Sequence, residues 1–244
     1  MKDINSLAPG KEHIQPIEPD ARNGPGGAPA LFNEVEFEQV KALSLVYEWA
    51  HRTLMTKLNI ISEDLASSGN SPIESIHGRM KSLTSIAGKL AKMGVPLTAE
   101  NAKIHLRDIG GIRIICHFSQ DIHYIISLLR QMPSVKILDE KDYITKPKPS
   151  GYRSYHVIME VPIFYSGKTE SIPVEIQLRT QAMNFWASLE HKARYKYQDH
   201  VPAHLSDELV AIAEKIDKLD RRMATIHEII TLINQDSDDT PDQE

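Results

Sequence analysis

The chain has 244 residues, of which 41% are hydrophobic and 25% charged, and its formal net charge is −5. This composition is ordinary for a globular protein with one sizeable core, and no apolar run approaches the roughly 20 residues that span a bilayer. The acidic balance argues against a protein that coats DNA. The single cysteine and the lack of an apolar leader segment predict a reducing, cytoplasmic location.

In chain order, the sequence predicts an arm, one domain and a tail. Residues 1–33 contain several prolines and glycines without periodicity, which predicts a flexible arm. The domain covers 34–234; it opens with an amphipathic helix over 37–65 and closes with a helix over 203–233, whose apolar residues form a heptad-like seam. Residues 235–244 are polar and acidic and predict a disordered tail.

Between these two helices, strand and helix patterns alternate. Strands are predicted over 76–81, 111–118, 135–144, 152–164 and 171–180, with the last two paired around a turn at 166–168. Helices are predicted over 85–93, 122–132 and 181–197. Helices that flank a mixed sheet indicate an α+β or α/β domain, and we predict α+β.

The strand that ends at Thr180 has one apolar and one polar face. Strand periodicity places three polar residues on the face opposite the core: Glu175, Gln177 and Arg179. The following helix continues this polar surface through Asn184. A polar strand face that leads into a polar helix face is how a cleft would be lined, although an isolated strand of this kind is more often an ordinary solvated face.

Two segments concentrate basic residues. From His77 to Lys92 there are four basic and no acidic side chains, and from Lys141 to Arg153 four basic and one acidic. In the first segment, Ser85 and Lys89 lie where a helix begins and its free N–H groups attract phosphate, although a solvated basic helix explains them equally well.

The second basic segment is a proline-containing loop that leads into Tyr152. Lysines supply point charges for phosphates, and a tyrosine ring supplies a flat surface for a base. The ordinary alternative is a solvated loop whose tyrosines pack on the core.

Asp108 and Arg113 flank the start of a buried strand. A carboxylate at this place can hold Mg²⁺ between substrate phosphates, or simply form an Asx turn. Arg113 points away from the apolar face and suits either a purine ring or an acid. The chain has no Walker-type phosphate loop, serine-hydrolase elbow or zinc-ligand spacing.

These segments, in this order, resemble the synthetase domain of the RelA/SpoT family, in particular its stand-alone small alarmone synthetases. The similarity covers roughly residues 73–197 and rests on four stretches: 78–89, 108–113, 142–156 and 175–194. Within them, Ser150-Gly151-Tyr152-Arg153-Ser154-Tyr155-His156 and Glu175-Ile176-Gln177-Leu178-Arg179-Thr180 are close to the small-enzyme form.

The resemblance implies a nucleotidyltransferase-like fold that transfers the β,γ-pyrophosphate of ATP to the 3′-hydroxyl of GDP or GTP, with GMP as a further candidate, and so makes the alarmones ppGpp and pppGpp. Asp108 and Glu175 would coordinate Mg²⁺, and Glu175 would also take the proton from the 3′-hydroxyl. The implied ATP-binding residues are Arg79, Lys81, Ser85, Lys89 and Arg113. The implied acceptor-binding residues are Lys146, Lys148, Tyr152, His156, Gln177 and Asn184.

The resemblance also implies a homotetramer, with the seam of the last helix as the candidate interface. The alternative is that this seam covers the first helix of the same chain. An alarmone product or RNA is a candidate regulator. The chain has no His-Asp dipeptide and no room for the hydrolase domain of the long bifunctional relatives, so we expect synthesis without degradation.

Two other functions fit parts of the pattern. A nucleotidyltransferase that adds a nucleotide would usually carry Gly-Ser followed by Asp-x-Asp, a combination that this chain lacks. A nucleotide- or RNA-binding regulator built on an inactive synthetase would not need Asp108, Tyr152 and Glu175. Formation of AMP from ATP distinguishes an active synthetase from both.

Overall fold

The computed structural model describes residues 34–69, 71–196 and 202–238. The helices are α1 (Glu34–Ser67), α2 (Leu83–Met93), α3 (Ala99–His105), α4 (Ser119–Gln131), α5 (Gln181–Lys196) and α6 (Ala203–Asp238). The strands are β1 (Ile73–Met80), β2 (Gly110–Cys116), β3 (Lys136–Asp142), β4 (Tyr155–Tyr165) and β5 (Lys168–Thr180). The predicted arm over 1–33 and the end of the predicted tail, 239–244, lie outside the described residues.

The five strands form one mixed sheet in the order β1-β2-β5-β4-β3. β2 and β5 are parallel, and the other neighbouring pairs are antiparallel. β4 and β5 are joined by a two-residue turn at Ser166 and Gly167, whose φ angles are 49° and 75°. Positive φ at both positions is the type I′ geometry that matches the twist of a hairpin. The mixed sheet and its flanking helices confirm the predicted α+β class.

One face of the sheet is buried in the hydrophobic core. The apolar residues of β5, Val174, Ile176 and Leu178, are fully buried together with side chains from α1, α2, α3 and α4. Full burial of a side chain of this size stabilises the fold by roughly 1.5–3 kcal/mol. The alternating pattern of β5 therefore leaves its polar residues on the opposite face, as the sequence predicts.

Gly78 allows α1 to pack closely on β1. A Cβ atom at this position would lie 2.4 Å from Cε1 of His51, a buried residue of α1. The imidazole Nε2 of His51 donates to the carbonyl oxygen of Gly111 at 3.1 Å. The helix is thus held against the two strands that carry Arg79 and Arg113.

Several elements begin up to three residues from their predicted bounds, for example β1 at Ile73, α4 at Ser119 and β5 at Lys168. Three further differences have an evident structural reason. The helix α3 is not predicted, because its seven residues are too few to show a helical period; Thr98 caps it by accepting from the Asn101 N–H at 3.2 Å. The strand β4 begins at Tyr155, since the chain before it forms a loop over 143–154. The helix α6 continues to Asp238, so the first residues of the predicted tail are helical.

The helix α6 packs on α5 through a small apolar cluster that contains Trp186, Ala187 and Ala213. Trp186 Nε1 also donates to the carbonyl oxygen of Leu209 at 3.0 Å. Beyond this contact, the apolar residues of the seam are exposed: Leu219, Met223, Ile226, Ile230 and Ile233. The described helices include none with both the length and the hydropathy needed to cross a membrane.

Candidate active site

A cavity of about 410 Å³ lies on the polar face of the sheet. The strand register explains its position, because Arg113 of β2, Gln177 of β5 and His156 of β4 are direct neighbours across the sheet. Six of the predicted site residues line this cavity: Asp108, Lys148, Tyr152, His156, Glu175 and Gln177. The structure therefore brings together residues that are far apart in the sequence.

Asp108 lies between two lysines of the first basic segment. Its Oδ2 accepts from Lys81 Nζ at 3.0 Å and from Lys89 Nζ at 2.8 Å. Burial favours the neutral carboxyl, but these two ammonium groups outweigh burial and hold the pKa of Asp108 below its ordinary value. Ser85 lies one helical turn before Lys89, where its hydroxyl accepts from Ser82 at 2.8 Å. The cluster carries a net positive charge.

A divalent metal fits beside Asp108. Its Oδ1 is buried and has no hydrogen-bond partner within the described residues. Glu175 lies near enough for the negative charge of Asp108 to oppose its ionisation. Mg²⁺ usually binds one or two carboxylates and completes its shell with water and substrate phosphates. In the described ranges, no group of three or more His, Cys, Asp or Glu side chains is placed to hold a metal, so substrate oxygens would have to complete this site.

Five side chains form a closed ring of hydrogen bonds. Arg179 Nη2 donates to the hydroxyl oxygen of Tyr152 at 2.7 Å and to Gln177 Oε1 at 3.0 Å. The Tyr152 hydroxyl lies 2.9 Å from His156 Nε2. His156 Nδ1 lies 2.9 Å from Glu175 Oε1, and Gln177 Nε2 donates to Glu175 Oε2 at 2.8 Å. Both oxygens of Glu175 are therefore held in place.

The ring also sets the charge of Glu175. Burial favours the neutral carboxyl, but the hydrogen bonds from His156 and Gln177 outweigh burial and hold the pKa of Glu175 below its ordinary value. The carboxylate is thus ionised near neutral pH and can accept a proton.

Arg113 lies close to two other cationic side chains, Arg179 and Arg79. Arg113 is half-buried, and its buried Nε has no hydrogen-bond partner within the described residues. Burial and then the neighbouring charges of Arg179 and Arg79 lower the pKa of Arg113 to about 10. The planar guanidinium groups of Arg79 and Arg113 extend from adjacent strands and are suited to a purine ring.

The other seven predicted site residues do not line the cavity: Arg79, Lys81, Ser85, Lys89, Arg113, Lys146 and Asn184. The first five belong to the β1–β2 side, where Lys81 and Lys89 contact the lining residue Asp108. Lys146 is exposed in the loop after β3 and does not line the cavity. Asn184 lies in the first turn of α5 and reaches the site through its Oδ1, which accepts from Arg179 Nη1 at 3.3 Å. Of the two lysines predicted in this loop, only Lys148 lines the cavity; its Nζ lies 4.8 Å from the centre of the Tyr152 ring.

Four residues that line the cavity are not predicted as site residues: Asp139, Lys141, Tyr143 and Ile158. Their place at the cavity depends on the order of β3 and β4 in the sheet, although Lys141 begins the second basic segment of the sequence. Arg179 is predicted on the polar strand face beside Glu175 and Gln177, but without a role in the site.

The chain is similar to known proteins over most of its length. Residues 78–200 match the model of a region found in RelA and SpoT proteins. The chain is 45% identical over 183 residues to the GTP pyrophosphokinase YwaC of Bacillus subtilis (strain 168), a match that covers 75% of this chain and 87% of the relative.

Solved structures agree with the sequence comparison. The small alarmone synthetase 1 of Bacillus subtilis bound to its product pppGpp is 34% identical, with a TM-score of 0.75, and the match covers 80% of this chain and 99% of that chain. The same synthetase bound to AMPCPP is 32% identical, with a TM-score of 0.69 and coverage of 80% and 98%. The expected nucleotidyltransferase-like arrangement of a mixed sheet with long terminal helices is shared with these synthetases. The chain therefore belongs to the RelA/SpoT family, among its small alarmone synthetases.

Proposed function

We propose that this chain is a GTP pyrophosphokinase that transfers the β,γ-pyrophosphate of ATP to the 3′-hydroxyl of GDP or GTP. The products are AMP and the alarmones ppGpp or pppGpp of stringent-response signalling. The observation that carries the proposal is one cavity in which Asp108 and Glu175 lie close together, with basic side chains on both sides. The bound pppGpp and AMPCPP of the related synthetase support it.

The donor half of the site is the β1–β2 side of the cavity. Arg79 and Arg113 would enclose the adenine ring, and Lys81, Ser85 and Lys89 would hold the phosphates of ATP. In the structure, both lysines donate hydrogen bonds to Asp108. Because a triphosphate carries more negative charge than one carboxylate, it would compete well for these ammonium groups.

The acceptor half is the β4–β5 side of the cavity. Tyr152 would stack on guanine, and Lys148 would bind the 5′ phosphates. The resemblance implies the same phosphate role for His156, but both of its ring nitrogens are engaged by Tyr152 and Glu175, so we assign His156 to the ring of hydrogen bonds instead. Gln177 and Asn184 would contact the acceptor nucleotide, with Asn184 reaching it from α5. Lys146 is exposed, and would reach a phosphate only at the outer end of the acceptor.

The bond changes are those of a single displacement. The 3′-oxygen of the acceptor forms a bond with the β-phosphorus of ATP, and the bond between that phosphorus and the oxygen shared with the α-phosphate breaks, so AMP leaves. Glu175 receives the hydroxyl proton. Mg²⁺ held by Asp108 and Glu175 would neutralise charge on the phosphates. Most of the acceleration in such reactions comes from positioning and electrostatics.

The proposal is tested by incubating the protein with ATP, Mg²⁺ and each of GDP, GTP and GMP. We expect AMP in equal amount to a guanine nucleotide that carries a new 3′-pyrophosphate. ADP or free pyrophosphate in place of AMP would contradict the proposal. Tight binding of both nucleotides without any AMP would favour a binding regulator instead. Incubation with ppGpp alone tests whether the protein lacks hydrolase activity, as we propose.

We also propose that the enzyme works in a reducing cytoplasm. Cys116 is buried in the core, and burial, with a smaller contribution from Asp121, raises the pKa of its thiol to about 12. A single free cysteine without a disulfide is usual for a protein of a reducing compartment.

The alarmones pppGpp and ppGpp, and RNA, stay candidate regulators. Rate measurements with each added compound would test them.

The exposed seam of α6 supports a homotetramer. Leu219 is 63% exposed and Met223 58% exposed, so the seam does not cover α1 at these positions. An apolar stripe of this extent usually marks an interface. We therefore expect Met223→Glu to reduce the hydrodynamic size measured by size-exclusion chromatography with light scattering, without lowering the helix content seen by circular dichroism.

A matched control is Lys218→Glu, which changes an exposed residue off the seam and should leave the size unchanged. An oligomer of unchanged mass in the Met223→Glu variant would rule out this part of α6 as the interface.

A further inference from the structure

Arg179 has no role in the proposed reaction, yet it lies at the centre of the polar network. Its side chain is buried, with an exposed fraction of only 5%. It donates to Tyr152 and Gln177 through Nη2 and to Asn184 through Nη1. Its Cζ lies 5.1 Å from the centre of the Tyr152 ring. A group so enclosed could not hold a nucleotide phosphate without leaving these partners.

Two arms of the ring lead from Arg179 to Glu175, the first through Tyr152 and His156 and the second through Gln177. The chemistry of Arg179 determines the direction of the hydrogen bonds in the first arm. A guanidinium only donates, so the Tyr152 oxygen accepts from it and has its own hydrogen left for His156 Nε2. A neutral imidazole that accepts at Nε2 carries its hydrogen on Nδ1. His156 therefore donates to Glu175 Oε1.

Arg179 also determines the direction of the hydrogen bonds in the second arm, through Gln177. The amide oxygen of Gln177 accepts from Arg179, which assigns its NH₂ group to the other side. This NH₂ group donates to Glu175 Oε2. The two arms thus start at one guanidinium and end on the two different oxygens of one carboxylate.

We infer that Arg179 is a positioning residue that orients the Glu175 carboxylate through both arms of this ring. The inference rests on the proposed function, because the carboxylate matters only if it receives the proton of the 3′-hydroxyl. Rotation of the carboxylate would break one arm or the other, so the ring holds it in one orientation. In reactions that depend on positioning, a displacement of about 1 Å can cost roughly a hundredfold in rate.

Two substitutions test the ring, the first by breaking only the arm through Tyr152 and the second by removing the common donor of both arms. Tyr152→Phe removes the hydroxyl but keeps the ring proposed to stack on guanine. Arg179→Lys keeps a positive charge but loses the planar fork that serves several acceptors at once. Arg130→Lys is the matched control, because Arg130 forms an exposed ion pair with Glu140 outside the cavity.

We expect each of the two variants to lower kcat about tenfold while the KM for ATP changes less than about twofold. The double variant should be no slower than Arg179→Lys alone, because Arg179→Lys already breaks the arm through Tyr152. The control should keep the wild-type rate. A double variant about a hundredfold slower than the wild type would show that the two residues have independent roles and would overturn the inference. So would an effect of Arg179→Lys confined to the KM of the guanine nucleotide.

A measurement without turnover distinguishes this inference from the proposed function. Nitrogen NMR of ¹⁵N-histidine-labelled protein, with the His156 signals assigned by His156→Gln, reports which ring nitrogen carries the hydrogen. We expect hydrogen on Nδ1 in the wild type and a changed signal in Arg179→Lys. Hydrogen on Nε2 in the wild type, or a signal unchanged by Arg179→Lys, would overturn the ring assignment even in an active enzyme. If the wild type forms no AMP, the proposed function fails whatever the NMR result.

Discussion

Glu175→Gln is expected to lower kcat by about 10²–10⁴-fold, the usual contribution of a general base. The amide has nearly the shape of the carboxylate but cannot accept the proton of the 3′-hydroxyl. It also accepts at one oxygen only, so either His156 or Gln177 loses its partner. Steady-state rates of AMP formation measure the loss, and binding of AMPCPP, which we expect to persist, shows that the donor half remains intact.

Glu170→Gln is the matched control for this substitution. Glu170 lies on the same strand but outside the cavity, in contact with Lys103, Tyr165 and Lys168. Its loss should leave the rate unchanged. A Glu175→Gln enzyme within about tenfold of the wild-type rate would remove Glu175 from the role of base and leave the reaction to positioning and charge.

Strand periodicity predicts which residues face the cavity, because it is a local property. The alternation in β5 correctly places Glu175 and Gln177 opposite the core. It does not predict that Arg179 is buried, since that depends on Tyr152 from a loop and Asn184 from α5. The strand β3 is also predicted, but its contribution to the cavity is not, because that depends on the strand order of the whole sheet.

The contact of Asp108 with Lys81 and Lys89 also depends on tertiary structure. The sequence predicts the lysines as phosphate ligands and the acid as a metal ligand, but these residues are separated by 27 and 19 positions. In the folded domain they form one cluster, so the carboxylate competes with ATP for the ammonium groups. This competition gives the second large prediction.

Asp108→Asn is expected to separate ATP binding from turnover. With Mg²⁺, the rate of AMP formation should fall by at least about a hundredfold, because a neutral amide is a far weaker ligand for a hard cation. Without Mg²⁺, AMPCPP should bind at least as tightly as to the wild type, since Lys81 and Lys89 lose their competing carboxylate. Isothermal titration calorimetry with and without the metal measures this difference.

The opposite pattern would contradict the assignment. If Asp108 served only to position the two lysines, Asp108→Asn would weaken the binding of AMPCPP without metal and leave the Mg²⁺ dependence of the rate unchanged. The buried Oδ1 of Asp108, which has no hydrogen-bond partner within the described residues, argues for the metal, because an oxygen kept away from water without a partner is costly. Raising the Mg²⁺ concentration should restore part of the rate of the Asn variant, because a weakened site fills again at higher metal concentration.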